Sequence, residues 1–379
     1  MTGMIRTVER DRCPGLLRPY HTVDGNMIRL RLPGGFVRAE QLVAVARLAA
    51  EHANSEIQIT SRNNLQVRAL PEPIPSGFVR GAFATGLMPS PAHERIRTVV
   101  CSPLTSVAPV NADLSQVVAA LDQAIIADPE LPKLPGRFLF VLDDGSDDVL
   151  GEAFDLGYRS LPGGRAVVFV GGSEAAREID AADAVATLIE LAHRFLAVAE
   201  SGKRPAWHVR ELTDPAALLE GIGDAVDFPC PTAEKPLGYG AVSGAAVVGV
   251  PLGLLTLPQA EALQRVANEC SGGRLVFTPW RGVVIPGAAE RLAELAEAGL
   301  VTSPHSVWRT MTACYGLPCS NAKVDTRAIA EEVAGSHPLP FPRLVHISGC
   351  DRVCGEPGGE HLGLIAPPDA DSVLGAVVG

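Results

Sequence analysis

The sequence has no uninterrupted apolar run long enough to cross a bilayer. Its longest, Gly240 to Leu257, is broken by Pro251 and by four glycines, counting Gly240 itself. A membrane helix needs about twenty apolar residues in a row, so this stretch reads as a pair of buried strands. No leader segment is expected either, because charges recur from Arg6 to Arg12, where its apolar core would stand. A cytoplasmic location, away from membranes, is therefore expected. Positive charge is scarce too. Lys and Arg number 32 against 43 Asp and Glu, a formal net charge of −11, and nucleic acid is not expected as a partner. In so acidic a chain, a local arginine cluster points to an anionic ligand. With 47% hydrophobic and 20% charged residues, the composition excludes a disordered chain.

Cysteine is sparse, eight in 379 residues, and half of the eight fall into two tight pairs, Cys314 with Cys319 and Cys350 with Cys354. Cys13, Cys101, Cys230 and Cys270 are scattered. In a cytosolic chain, paired cysteines read as metal ligands before disulfides. Each pair supplies two thiolates from one turn, and the glycines and prolines beside them suit backbone that must curl around inorganic atoms. Spacing alone admits an iron–sulfur cluster or a four-thiolate zinc site. A zinc-stabilised binding module or a non-enzymatic redox sensor is thus one reading. A helix expected from Asp325 to Ala334 and a strand from Arg343 to Ile347 lie between or lead into the pairs, which favours a built cluster domain over a zinc knuckle.

The remainder of the chain repeats itself. Strand, helix and two strands are expected at Met27–Leu32, Ala39–Ala53, Glu56–Thr60 and Leu65–Ala69. Adding 218 carries Pro33, Gly35, Gln41 and Thr60 onto Pro251, Gly253, Gln259 and Thr278 without a gap. Such a repeat implies a pseudo-symmetric fold with a ligand site between the halves. Between the copies, a helix is expected at Ser115–Ala127, strands at Phe138–Leu142 and Ala166–Val170, and a long helix from Ala175 to about Ala199. Arg95 and Arg97 are expected on one side of a strand running to Pro103, and Arg137 opens the next.

These segments resemble the sulfite and nitrite reductase superfamily. The likeness lies in the cysteine pairs, the Ser348-Gly349-Cys350 turn, the repeat and the turn Thr60-Ser61-Arg62-Asn63-Asn64-Leu65-Gln66. With Arg12-Cys13-Pro14-Gly15 and His346-Ile347-Ser348-Gly349-Cys350, the resemblance is greatest to the precorrin-3B synthases of aerobic cobalamin biosynthesis. It implies an α+β fold, with duplicated ferredoxin-like half-domains forming a central pseudo-twofold sheet. These would alternate with two reductase-type α/β domains. The expected division is 1–88 and 230–300 for the half-domains, 89–229 for a domain without a cluster, and 301–379 for a short cluster-binding domain.

The resemblance further implies a [4Fe–4S] cluster on Cys314, Cys319, Cys350 and Cys354, and substrate-binding roles for Arg62, Arg97 and Arg137. The implied reaction is a mono-oxygenation of precorrin-3A to precorrin-3B. It takes dioxygen and an external electron donor, a ferredoxin or NAD(P)H system, hydroxylates a meso carbon and closes a lactone. An additional mononuclear non-haem iron goes with that family. His21, His52, His93, His208 and His346 are the candidate ligands, without a spacing signal. The alternative is a sirohaem-dependent sulfite or nitrite reductase, with Cys354 bridging cluster and sirohaem. Two departures stand out. Leu139 occupies a place where the reductases have a lysine, and four residues separate Cys314 from Cys319 where five are usual. The shorter loop is expected to strain or expose the cluster, with Cys13 as the substitute ligand it invites.

Overall fold

The computed structural model describes residues 11, 13–200, 205–232 and 235–378, so Arg12 of the opening motif lies outside the described residues. The repeat is visible element by element. Helix Ala39–His52 maps onto Leu257–Cys270, strand Glu56–Ile59 onto Arg274–Phe277, and strand Phe36–Arg38 onto Leu254–Thr256, each by the same 218 residues. Both helices begin with a capping box whose third residue is a glutamine, Gln41 in one copy and Gln259 in the other.

The copies exchange strands. One five-stranded sheet runs Tyr20–Thr22, Gly25–Leu30, Leu65–Leu70, Glu56–Ile59 and then Leu254–Thr256, contributed by the second copy. The other runs Gly240–Val242, Ala245–Gly249, Gly282–Ile285, Arg274–Phe277 and then Phe36–Arg38, contributed by the first. The two helices pack on each other over one shared apolar core that includes Leu42, Val45, Ile57, Leu263, Val266 and Phe277. The run from Gly240 to Leu257 thus holds three strands, not two, and its last is the exchanged one.

Each exchange needs a glycine at the crossover. Gly35 has φ of +78°, and a Cβ there would lie 2.1 Å from the Phe277 carbonyl oxygen. Its repeat partner Gly253 has φ of +70° and faces the Ile59 carbonyl oxygen at 2.9 Å. Left-handed backbone disfavours a side chain, and a carbonyl in a paired strand cannot easily retreat. Gly35→Ala is expected to lower stability by roughly 2–4 kcal/mol. A denaturant midpoint equal to that of the parent would refute the crossover argument.

The intervening segment forms a six-stranded mixed sheet. Its order is Asp224–Val226, Ala176–Asp180, Arg165–Val170, Leu156–Leu161, Phe140–Asp143 and Val99–Cys101. Helices Ser115–Ala127 and Ala184–Ala199 cover one face, through Leu121, Ile125, Leu188, Leu191 and Phe195. Two expectations need correction here. The helix expected from Ala175 begins only at Ala184, because Ala176–Asp180 is a strand paired antiparallel to Arg165–Val170. Arg95 and Arg97 also precede their strand, which is only Val99–Cys101.

The C-terminal segment is a three-stranded parallel sheet in the order Met311–Ala313, Leu344–Ser348 and His361–Ile365. Helices Thr326–Ser336 and Ala370–Val378 pack with it. The Asp325 carboxylate caps the first of these helices, which runs through Gly335 instead of stopping there. Among the described residues, no helix is long and apolar enough to cross a membrane.

Candidate functional site

The two cysteine pairs leave the same end of two neighbouring parallel strands. Cys314 follows Met311–Ala313, and Cys350 follows Leu344–Ser348 after Gly349. The Cys314 amide donates to the Ile347 carbonyl at 2.9 Å, and the Gly349 amide donates to the Cys314 Sγ at 3.2 Å. Gly316, at φ of +80°, turns the first loop, which the Cys319 amide closes on the Gly316 carbonyl at 2.9 Å. Cys354 is exposed as a residue, yet desolvation of its thiol pushes it up, reinforced by Cys314, Cys319 and Cys350.

Beside them, the Ser348 Oγ and the His346 Nε2 are buried without a hydrogen-bond partner. Burial, then Arg281 and His361, pushes His346 down to about 3, so its ring is neutral. Arg281 is the repeat counterpart of Asn63, and both are left-handed, at φ of +58° and +48°. Its Nη2 donates to the Gly355 carbonyl at 3.1 Å, one residue past Cys354. Among the described residues, no three His, Cys, Asp or Glu side chains form a group that could hold a metal ion.

The arginines divide. Arg62 and Arg137 come together, the Arg62 Nη1 donating to the Arg137 carbonyl at 3.1 Å. Arg97 departs from the expectation. Its guanidinium is buried and forked onto Asp122 at 2.6 and 2.8 Å, with a third bond to the Leu87 carbonyl. That fork is committed to holding helix Ser115–Ala127 and is not available to a ligand.

Arg29 and Arg31 lie close to Arg62 and Arg137 instead. The strand of Arg29 alternates as a half-exposed strand does, with Ile28 and Leu30 buried and Met27 and Arg29 half-buried, but Arg31, just beyond it, is buried as well. Arg31 is 2% exposed, and its Nη2 donates to the Cys13 Sγ at 3.1 Å and to the Arg95 carbonyl at 2.9 Å. Arg29 donates to Gln66 at 2.9 Å. The Arg31 Nη1 and the Arg29 Nε are buried without a partner. Burial pulls Arg29 down to about 10; Cys13 opposes the fall, and Arg31, Arg62 and Arg137 add to it. Burial alone would push the Cys13 thiol up, but Arg31, Arg29 and Arg137 outweigh it and hold the thiol below its ordinary value. Cys13 thus lies among arginines, with its thiol also donating to the Gly136 carbonyl at 3.1 Å. Two arginines at alternate positions, just before the crossover turn, were the signal that could have found this cluster.

The candidate histidines have structural partners. His21 faces Glu72 at 3.3 Å, and His52 packs edge-on to Phe78. His93 bonds Ser90 and the Asp128 carbonyl, His208 lies 3.3 Å from Asp155, and His346 bonds Thr312 at 2.8 Å. Leu139 is fully buried in an apolar cluster with Val141, Val167 and Phe169.

Residues 18–73 and 244–300 match the nitrite/sulfite reductase ferredoxin-like half domain. A ferredoxin–nitrite reductase of Synechococcus elongatus is 26% identical, covering 89% of this chain and 76% of its own. A precorrin-3B synthase of a Sinorhizobium species is 24% identical, covering 97% of this chain and 83% of its own. Among solved structures, the NirA protein of Mycobacterium tuberculosis superposes with a TM-score of 0.70 at 20% identity. That match covers 87% of this chain and 69% of NirA.

Proposed function

Because the chain belongs to the nitrite and sulfite reductase superfamily, we propose that it is an iron–sulfur oxidoreductase whose tetrapyrrole is a substrate, precorrin-3A, converted to precorrin-3B. The observation that carries this reading is the cluster of guanidiniums, buried Arg31 and half-buried Arg29, with Arg62 and Arg137 close enough to act on them. Two guanidinium nitrogens with no partner are costly to bury unless an anion completes them. A macrocycle ringed by carboxylates supplies several such anions at fixed spacing, and forked guanidiniums match them.

The four cysteines fit a [4Fe–4S] cluster. They leave the same end of two neighbouring parallel strands, and the Gly349 amide already aims at the Cys314 sulfur. When bound, the cluster supplies single electrons, which side chains cannot. The chain's own groups bind and orient the substrate: the arginines fix its carboxylates, and neutral His346 adds no charge beneath the cysteine site. One oxygen atom of dioxygen enters the product and the other leaves as water, with two electrons from an external donor.

A second reading, a sirohaem-dependent nitrite or sulfite reductase, is favoured by the Synechococcus relative. Leu139 speaks against it, since an apolar cluster fills the place where the reductases have a lysine. Protein purified anaerobically, without added ligand, decides between them. The expected result is iron and sulfide without a sirohaem band, and label from ¹⁸O₂ in the product of added precorrin-3A. A sirohaem band together with nitrite or sulfite reduction would overturn the proposal.

A further inference from the structure

We infer that Tyr315 is a positioning residue, its ring held between Arg68 and Arg327 so that the short Cys314–Cys319 loop is fixed against the first half-domain. The inference rests on the reading that these cysteines hold a cluster. Tyr315 directly follows Cys314. The Arg68 guanidinium carbon lies 4.1 Å from its ring centroid and that of Arg327 lies 5.5 Å away. Guanidinium planes are attracted to aromatic faces, and the attraction strengthens as water is excluded. The Asn54 Nδ2 donates to the Tyr315 hydroxyl at 2.7 Å.

Both arginines are oriented from behind. Arg68 is forked onto Asp24 at 3.1 and 2.9 Å, and Arg327 onto Glu56 at 3.1 and 2.8 Å. The ring therefore meets two guanidiniums whose orientation is already set. Arg68 also approaches the Pro318 carbonyl at 3.4 Å, the residue before Cys319. The loop is gripped beside its first cysteine and again beside its second. Between these points it has little of its own: Gly316 is left-handed and Leu317 is 54% exposed. A loop with four residues between its cysteines has no slack to find the cluster geometry unaided, and the grip supplies what length does not.

The grip comes from the strand that also serves the arginine cluster. Gln66 and Arg68 are alternate residues of Leu65–Leu70 and share one face. Gln66 accepts from Arg29, while Arg68 covers Tyr315. Groups that touch no iron but orient its ligands commonly control metal retention and potential.

The test is iron release from the anaerobically purified full chain to a colorimetric chelator, with the reduction potential measured alongside. Tyr315→Leu, which removes the ring and the hydroxyl, is expected to lose iron about tenfold faster than the parent and to shift the potential. Tyr315→Phe keeps the stack and should release iron close to the parental rate. Arg68→Gln should reproduce the Tyr315→Leu defect, and the double variant should be no worse than either alone. If Tyr315→Leu fails to accumulate, Arg68→Gln decides. Parental release in either variant overturns the inference. Cys350→Ser is run in parallel: should it keep the parent's iron, the cluster reading falls and the inference with it. If it loses iron while Tyr315→Leu and Arg68→Gln do not, the inference alone falls.

Discussion

Cys350→Ser and Cys354→Ser proteins are expected to purify without the irons and visible absorption of the parent, and to melt at lower temperature. Cys350 is reached through Gly349, whose amide holds the Cys314 sulfur at 3.2 Å, so the two loops share one hydrogen-bonded frame. Serine keeps that frame but gives iron a far poorer ligand than thiolate. Ligand bonds are also folding energy, and the parts of the C-terminal sheet nearest the loops lose it when the metal goes. Cys101→Ser and Cys270→Ser are the controls, since both positions lie in other elements, a strand of the six-stranded sheet and a half-domain helix. Iron analysis with a thermal melt checks the set. A Cys354→Ser protein carrying the parental iron and spectrum would remove the ligand assignment.

Arg31→Ala should bind the tetrapyrrole about ten- to a hundredfold more weakly while retaining its iron, as expected for one charge-assisted contact of roughly 1.5–3 kcal/mol. Arg31→Lys should recover only part, because it keeps the charge and loses the fork. Arg97→Ala should behave differently. It strands Asp122 without its partner, 9% exposed, and breaking a buried pair from one side costs about 3–5 kcal/mol of stability. Its effect should fall on the melting temperature, with ligand affinity unchanged in the protein that remains folded. Titrations of Arg31→Ala, Arg62→Ala, Arg97→Ala and Arg137→Ala separate the cases. Equal affinity across all four would exclude the arginine cluster as the carboxylate site.

Much of this fold can be read without coordinates, because the repeat is written in turns and caps. Pro33-Gly34-Gly35 and Pro251-Leu252-Gly253 announce the same crossover, and each helix that follows spans the same repeat positions. What cannot be read is partnership. Phe36–Arg38 has the look of a strand, yet nothing local says that it joins the sheet of the other copy. Ala176–Asp180 has residues fit for a helix, and only pairing with Arg165–Val170 makes it a strand. The arginines show the same limit. Alternation places Arg29 and Arg31 on one face but does not say whether that face meets solvent. Likewise the motif around Arg97 gives no sign of Asp122, 25 residues on. The cysteine pairs were legible because each is held within one turn.

The strand exchange also sets an order of events during synthesis. The first sheet receives its edge strand, Leu254–Thr256, from the far copy, so it has an unpaired edge while the residues between are still being made. Ile57 pairs with Leu255, and at about 5–20 residues per second the roughly 200 residues between them keep Glu56–Ile59 exposed for on the order of ten seconds or more. Open strand edges are templates for wrong pairing. Until Leu254–Thr256 is made, the first half-domain can have only four of the five strands of its sheet, so its completion waits on the second copy.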